Sequence, residues 1–196
     1  MTFDPNKYRF QKHFGKFKFN IRPAKISDKK MVWEGFSNAP KDFFNGLIEI
    51  TEEKVNQWYP EEGILDFDQS LPINVFEMQN DKEIAFAGNV SLMFRSENRY
   101  KHIATMGVSV LPKYQGIGLG KFLSELSVQM AREKPGIYRL DLLVVSSNEK
   151  ARKIYEKVGY EIESREKKRW FSPTGKLEDI YSMVIIFEGK IPKELL

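Results

Sequence analysis

Apolar and polar positions alternate along much of this chain in the way that β-strands require. Residues 17–22 alternate in this way and predict an early strand. Alternation or short continuous apolar runs predict further strands over 73–78, 84–94, 102–111, 137–145, 161–171 and 179–187. The turn-forming sequence Ser172-Pro173-Thr174-Gly175 separates the last two, which we expect to pair as a hairpin.

Apolar positions three and four residues apart predict helices between these strands. The clearest helix covers 121–132, and its apolar stripe consists of Leu119, Phe122, Leu123, Leu126 and Met130. Further helices are predicted after an N-cap at Ser27-Asp28, over about 40–58, and over 148–158. The helix over 40–58 has Phe43, Phe44, Leu47 and Val55 as its apolar positions.

The order of these elements indicates an α/β fold with a mixed central sheet. Strand 102–111, helix 121–132 and strand 137–145 follow one another, so the two strands are expected to be parallel neighbours. The run 137–145 is almost continuously apolar, as in a strand that is covered on both faces. We therefore expect about seven strands flanked by helices.

The chain of 196 residues is long enough for one large domain, or a smaller domain with an extension. It contains no cysteine, which excludes disulfides, zinc–thiolate sites and cysteine nucleophiles. No apolar run approaches 18 residues, and the N-terminus lacks the apolar core of a signal peptide. We expect a cytoplasmic protein with no membrane contact.

Charge is distributed unevenly around a net charge of +4. Residues 1–30 contain nine Lys and Arg against Asp4 and Asp28, whereas 49–68 contain seven acidic residues against Lys54. A mildly basic protein with a local acidic segment does not have the charge pattern of a nucleic-acid binder, so no nucleic-acid partner is expected.

A glycine-rich loop lies between a predicted strand and a predicted helix. Gly116, Gly118 and Gly120 alternate with other residues and are followed by Lys121. Glycine lets the backbone turn tightly and approach a ligand closely, and a helix N-terminus favours an anion. The arrangement indicates a site for phosphate or pyrophosphate, although a simple tight turn would give the same pattern.

Two well-known phosphate loops do not fit this spacing. A P-loop has four residues before its Gly-Lys and then Ser or Thr, whereas three residues separate Gly116 from Gly120, and Phe122 follows Lys121. A dinucleotide-binding loop has its third glycine one position later and an acidic residue at the end of the next strand. Asp141 is at a suitable distance but falls in the middle of its predicted strand.

A second motif follows about thirty residues later and consists of Asn148, Ala151, Tyr155, Gly159 and Tyr160. The pair of motifs resembles the GCN5-related N-acetyltransferases, the GNAT superfamily, which use acetyl-CoA. That family has Q/R-x-x-G-x-G/A after its fourth strand, which Gln115, Gly118 and Gly120 match, and N-x-x-A-x-x-x-Y-x-x-x-G-F/Y, which all five residues match. The resemblance covers about residues 101–187, and it implies a single acetyltransferase domain over 17–190 with an extension at 1–16.

The resemblance also implies where acetyl-CoA would bind, with no metal. In this family the fourth and fifth strands splay apart and admit the thioester. The expected pyrophosphate site is the loop Gln115, Gly116, Ile117, Gly118, Leu119, Gly120 and Lys121. The pantetheine arm is expected to run beside Val108, Ser109 and Val110 and to bond Asn148. Tyr155 would protonate the departing sulfur, since its pKa near 10 suits a thiolate.

Other interpretations of these residues remain open. Asn148 is also a suitable helix N-cap, and Tyr155 could be a core tyrosine. The general base is undecided, because Leu143 stands where ribosomal-protein N-terminal alanine acetyltransferases have Glu. Asp141 and His102 are the candidates in its place, with Glu77 and Asp179 weaker ones.

We expect the acceptor to be a primary amine, either of a peptide or protein or of a small cationic molecule. The last hairpin loosely resembles that of the peptide N-terminal acetylases, and the acidic segment 49–68 could attract a cationic acceptor. The basic, aromatic segment 7–19 could form an extra strand, an arm that pairs two copies as a homodimer, or a contact for an acidic cofactor. The alternative function is a domain that senses acyl-CoA without turnover, and the least favoured third one is a basic nucleic-acid-binding protein.

Overall fold

A computed structural model describes residues 3–40, 49–60 and 65–195 and shows one mixed eight-stranded sheet with helices packed on it. The strands are β1 (Phe10–Phe14), β2 (Phe17–Pro23), β3 (Ser70–Gln79), β4 (Lys82–Phe94), β5 (Ile103–Val110), β6 (Arg139–Val145), β7 (Glu161–Phe171) and β8 (Leu177–Ile186). The described helices are α1 (Lys29–Ser37), α2 (Glu52–Trp58), α3 (Leu119–Glu133) and α4 (Glu149–Val158). Across the sheet the strands follow the order β1-β2-β3-β4-β5-β6-β8-β7.

The sheet is antiparallel except at its centre. β5 and β6 are parallel, and α3 connects them, as predicted for a strand–helix–strand unit. α3 packs on β4, β5 and β6, and its buried residues include most of the predicted apolar stripe. Along β6 the buried Leu140 and Leu142 alternate with Asp141 and Leu143, so the carboxylate and Leu143 share the less covered face.

The sheet has one strand more than the seven expected. The additional strand is β1, which pairs antiparallel with β2 from Phe10↔Ile21 to Phe14↔Phe17. Of the three possibilities for the basic, aromatic segment, the extra strand is therefore present. A short 3₁₀ turn, Pro5–Tyr8, precedes β1, and the Tyr8 hydroxyl donates a hydrogen bond to Glu133 on α3 at 2.7 Å.

The predicted helix over 40–58 is not one continuous helix in the part of this range that the structure describes. Phe43, Phe44 and Leu47 lie outside the described residues, and residues 49–51 are not helical. α2 starts at Glu52 because the Thr51 side chain caps it, accepting a hydrogen bond from the Lys54 N–H at 3.1 Å. Val55 is fully buried, as the pattern predicted.

Asp28, which precedes α1, does not cap the helix as predicted. Asp28 occupies the N-cap position, but its carboxylate makes no cap bond. It binds the Arg22 guanidinium at 2.7 and 2.8 Å and accepts a hydrogen bond from Asn74 at 3.0 Å, and all three residues are buried. This network fixes the start of α1 against β2 and β3. No helix within the described ranges is long and apolar enough to cross a membrane.

Candidate functional site

The centre of the sheet contains a gap between the two parallel strands. β5 and β6 pair only at Ile103↔Arg139, Ala104↔Leu140 and Thr105↔Asp141. Both strands continue past this point, to Val110 and Val145, without further pairing to each other. Residues 106–110 therefore present a backbone edge toward β6 that no described strand occupies, which is where a thin extended molecule could add main-chain hydrogen bonds.

The other side of the same segment is held firmly by β4. Val90, Asn89 and Gly88 pair with Val108, Ser109 and Val110. Gly88 has a φ of +156°, and a Cβ at this position would lie 2.2 Å from the Ser109 carbonyl oxygen. Only glycine permits this approach, so the free edge of β5 is positioned by close backbone contact with β4.

The glycine loop lies at the end of β5 where the gap opens. Gly116 and Gly118 have φ values of +77° and +92°, and Gly118 is the left-handed N-cap of α3. The Gln115 side-chain amide donates to the Val110 carbonyl at 3.0 Å and so fastens the loop to the end of the strand. The loop geometry therefore depends on glycine at two positions and on Gln115 at a third.

The loop presents a row of backbone donors. Within the described residues, none of the N–H groups of residues 116–121 donates a hydrogen bond, and the first helical bond is donated by the Phe122 N–H to the Gly118 oxygen at 3.1 Å. Successive N–H groups at a helix N-terminus attract anions, because donors and the helix dipole act together. The arrangement can hold a diphosphate.

The second motif forms the start and the interior of α4. Asn148 is the N-cap, and its side-chain oxygen accepts a hydrogen bond from the Ala151 N–H at 3.2 Å. The cap interpretation is thus confirmed, while the Asn148 side-chain N–H groups stay available to a ligand. Gly159 ends the helix in the left-handed conformation, directly after the predicted span 148–158.

Tyr155 projects from α4 into the interior and is 9 % exposed. Its ring meets Tyr160 edge to face with 5.9 Å between ring centroids. No described residue makes a hydrogen bond with its hydroxyl, and burial raises the pKa of Tyr155 to about 12. The described residues enclose the Tyr160 hydroxyl fully but not that of Tyr155, so the Tyr155 oxygen can form a hydrogen bond with a ligand.

Comparison with known proteins decides the family. The model of the acetyltransferase (GNAT) family matches residues 33–160, more than half of the chain. The chain belongs to this family. The GNAT enzymes are acyltransferases, so the chain is an N-acetyltransferase that uses acetyl-CoA and an amine.

Individual relatives agree with this assignment. The chain is 32% identical over 152 residues to the spermidine N(1)-acetyltransferase of Escherichia coli K12, covering 73% of each protein. Among solved structures it is similar to a ribosomal-protein-S5-alanine acetyltransferase from Vibrio fischeri, with a TM-score of 0.74, 17% identity, and 93% and 100% of the two chains covered. It is also similar to a Vibrio cholerae spermidine N-acetyltransferase solved with CoA and spermine, with a TM-score of 0.68, 17% identity, and coverage of 87% and 96%.

Asp141 of this acetyltransferase lies at the last paired position before the gap. Its carboxylate binds the Arg139 Nε at 2.6 Å, and Arg139 in turn binds Glu163 through two nitrogen atoms at 2.8 and 2.6 Å. Burial raises the pKa of Asp141, and the positive charge of Arg139 opposes that shift. Leu143, two residues further along the same face, is 41% exposed and extends beside the open part of the gap.

The structure places His102 apart from the open gap. It precedes β5 at the paired end, where its carbonyl accepts hydrogen bonds from the N–H groups of Tyr138 and Arg139. The three paired positions between His102 and the gap correspond to about 10 Å of strand. The weaker candidates are held in other contacts, Glu77 by Lys113 and Tyr114 and Asp179 by Arg165 and the Lys168 N–H.

Sequence reasoning missed two contributions to the site of this acetyltransferase. The first is Gly88, whose need for glycine depends on a strand pairing that is distant in sequence. The second is the tip of the β1–β2 hairpin, which touches the glycine loop. A Cβ at Gly118 would lie 4.0 Å from the Phe14 ring, and one at Gly15 would lie 3.7 Å from Ile117. Residues 10–14 do not alternate, since only Phe10 and Phe14 are apolar, so the local sequence indicated neither this strand nor its contact with the loop.

Proposed function

We propose that this GNAT enzyme transfers acetyl directly from acetyl-CoA to a small cationic primary amine, with both bound at the gap between β5 and β6. The main supporting observation is that the unpaired edge at 106–110 and the unpaired N–H groups at 116–121 belong to one continuous stretch of chain. A diphosphate at the loop and an extended arm along the strand would satisfy both sets of groups at once.

The residues present fit acetyl-CoA in chemistry. The N–H groups of Gly116, Ile117, Gly118, Leu119, Gly120 and Lys121 would hold the diphosphate. The backbone of Val108, Ser109 and Val110 would bond the amide groups of the pantetheine arm, as an added strand does. The free side-chain N–H groups of Asn148 would bond the same arm from the side of α4, while Gln115 supports the loop through Val110.

Tyr155 is the proposed acid. When bound, acetyl-CoA supplies an activated thioester, whose acetyl group an amine accepts with release of the coenzyme A thiol. The Tyr155 hydroxyl keeps its proton at neutral pH because burial raises its pKa to about 12. A proton held at this oxygen is available to the departing sulfur, and holding the two reactants in contact supplies much of the remaining rate.

Asp141 is the proposed acceptor of the amine proton, through water. It lies at the closed end of the gap and on the less covered face of β6, where an amine can approach. Burial raises its pKa, which makes it a better base than an exposed aspartate. His102 is given no role in proton transfer, because three paired positions separate it from the gap.

The choice of a small cationic amine is supported by the E. coli relative, whose name is spermidine N(1)-acetyltransferase. The test is calorimetric titration of the purified protein with acetyl-CoA, followed by a thiol-release assay with spermidine, amino acids and a peptide with a free N-terminus. We expect binding, with thiol release fastest on spermidine. Faster release on the peptide would contradict the acceptor class, and binding without release on any amine would favour an acyl-CoA sensor.

A further inference from the structure

We propose that Lys12, on the β1–β2 hairpin, is a further binding residue for the phosphate groups of coenzyme A. The proposal rests on the proposed function, since it requires that the glycine loop holds the cofactor. It assigns the N-terminal hairpin to the cofactor site, with a role for one named cation.

The hairpin packs on the loop and on the first turn of α3. The Phe14 ring lies 5.3 Å from the Phe122 ring, centroid to centroid, and Phe10 meets Phe122 edge to face at 5.9 Å. Phe14 also lies beside Gly118, and Gly15 beside Ile117. These contacts bring the strand β1 next to the row of backbone donors.

Lys12 lies between the two phenylalanines on the same face of β1. Its Nζ is 4.6 Å from the centroid of the Phe122 ring and 5.7 Å from that of Phe14. Phe122 is the fourth residue of α3, and a helical side chain covers the turn that precedes its own Cα. The Lys12 ammonium therefore lies against the first turn of α3, next to the loop that carries the free N–H groups.

The charge of Lys12 lacks a compensating carboxylate. Within the described ranges its ammonium forms no ion pair, whereas Lys121 binds Glu125 at 2.9 Å and Lys113 binds Glu77. A cation at the N-terminus of a helix is repelled by the helix dipole. An anion placed between Lys12 and the loop would interact favourably with both, and the phosphates of coenzyme A are such anions.

The surrounding groove favours the loop end for this anion. A groove of about 610 Å³ runs between the hairpin and α3. Its lining includes Lys12, Phe122, Glu125 and Glu133. The carboxylates of Glu125 and Glu133 disfavour a phosphate further along the groove. Lys12 and Phe122 lie at the end near the loop, which leaves that end as the position for negative charge.

The test compares Lys12→Gln with Lys18→Gln, which changes the net charge equally on the same hairpin. Lys18 is a suitable control because its ammonium already pairs with Asp81 at 3.1 Å. We expect Lys12→Gln to weaken calorimetric binding of coenzyme A by about fivefold at low salt, with less loss at high salt. Lys18→Gln and Lys12→Arg should stay within about twofold of the parent protein.

Equal affinities for Lys12→Gln and Lys18→Gln would overturn the proposal while leaving the proposed function intact. Failure of the parent protein to bind coenzyme A would overturn both. Repeating the titrations with dephospho-coenzyme A identifies the phosphate concerned. If Lys12→Gln and the parent protein bind dephospho-coenzyme A equally, Lys12 contacts the 3′-phosphate. If Lys12→Gln still binds it more weakly, Lys12 contacts the diphosphate. Unchanged melting temperatures would show that Lys12→Gln leaves the hairpin folded.

Discussion

Thr105 on β5 and Asp141 on β6 are the last paired residues of the two parallel strands, and the gap begins directly after them. One residue pair thus marks both the end of a sheet ladder and the start of the proposed reaction site. The carboxylate at this boundary is tied to Arg139 rather than left free.

Replacing Tyr155 with Phe should lower kcat by at least about 100-fold, the lower range for loss of a general acid. The change removes only a hydroxyl that has no hydrogen-bond partner among the described residues, so the fold and the binding of acetyl-CoA should persist. Steady-state kinetics and calorimetry measure the two quantities. An equal loss of kcat and of affinity for acetyl-CoA would indicate that Tyr155 has a structural role.

Tyr160→Phe is the matched control for that experiment. Its hydroxyl is buried beside Ser127 without a well-aligned hydrogen bond to any described residue, and its ring touches that of Tyr155. We expect kcat to change by less than about threefold and the free energy of unfolding to change by no more than about 1 kcal/mol, because only a poorly aligned hydroxyl is removed. Chemical denaturation measures the stability change. A large loss of kcat in Tyr160→Phe would show that Tyr155 does not act alone as the acid and that both tyrosines are needed.

The pH dependence of kcat should show no descending limb between pH 7 and 10. Burial raises the pKa of Tyr155 to about 12, so this group stays protonated throughout that window and is lost as an acid only above it. The rate should instead rise with pH as the amine substrate loses its proton. The same rise in Tyr155→Phe, at a lower level, would support this assignment. A fall centred near pH 8 or 9 would contradict it.

Gly88→Ala should unfold or strongly destabilise the protein. The new Cβ would lie 2.2 Å from the Ser109 carbonyl oxygen and 3.0 Å from the Val110 Cα, so β4 and β5 would have to separate. We expect a loss of more than about 2 kcal/mol, or a melting temperature at least about 4 °C lower. Gly189→Ala is the control, since nothing lies within 4 Å of its added Cβ. Equal melting temperatures for the two variants would contradict the close approach.

The glycines of the loop should differ in their tolerance of alanine. Gly118 has a φ of +92°, where a Cβ costs about 1–2 kcal/mol, so Gly118→Ala should weaken coenzyme A binding and lower the melting temperature. Gly120 is helical, and its added Cβ would be 3.8 Å from a Val110 methyl group, an ordinary contact. Gly120→Ala should therefore keep both properties. Calorimetry and thermal unfolding of the two variants measure the affinity for coenzyme A and the melting temperature. Equal losses in Gly118→Ala and Gly120→Ala would contradict the backbone conformations described here.

The elements with strong periodicity were the ones that the sequence predicted best. The apolar stripe of α3 and the continuous run of β6 appear within two residues of their expected bounds. The family resemblance supplied the splayed strands, and the observed pairing confirms that expectation. Local sequence is sufficient for such features, because each depends on neighbours in the chain or on a motif of fixed spacing.

Features that depend on distant partners escaped prediction. β1 packs against Phe122, which is more than a hundred positions away in the chain, so no local pattern indicates this contact. Asp28 was expected to cap α1. Its carboxylate instead accepts a hydrogen bond from the buried Arg22, and the residues around Asp28 in the sequence do not indicate this contact. The start of α2 was predictable in principle, since Thr51 followed by two glutamates is a typical helix beginning, but the prediction joined this helix to the apolar positions before it.

The unpaired segment 106–110 gives the sheet an internal edge besides the outer edges at β1 and β7. Its donors and acceptors are backbone atoms, which every residue except proline supplies in the same positions. Side chains along this stretch can therefore drift through evolution while the edge keeps its capacity to bond a ligand. Such freedom is consistent with the similarity of the overall fold to the Vibrio structures at 17% identity.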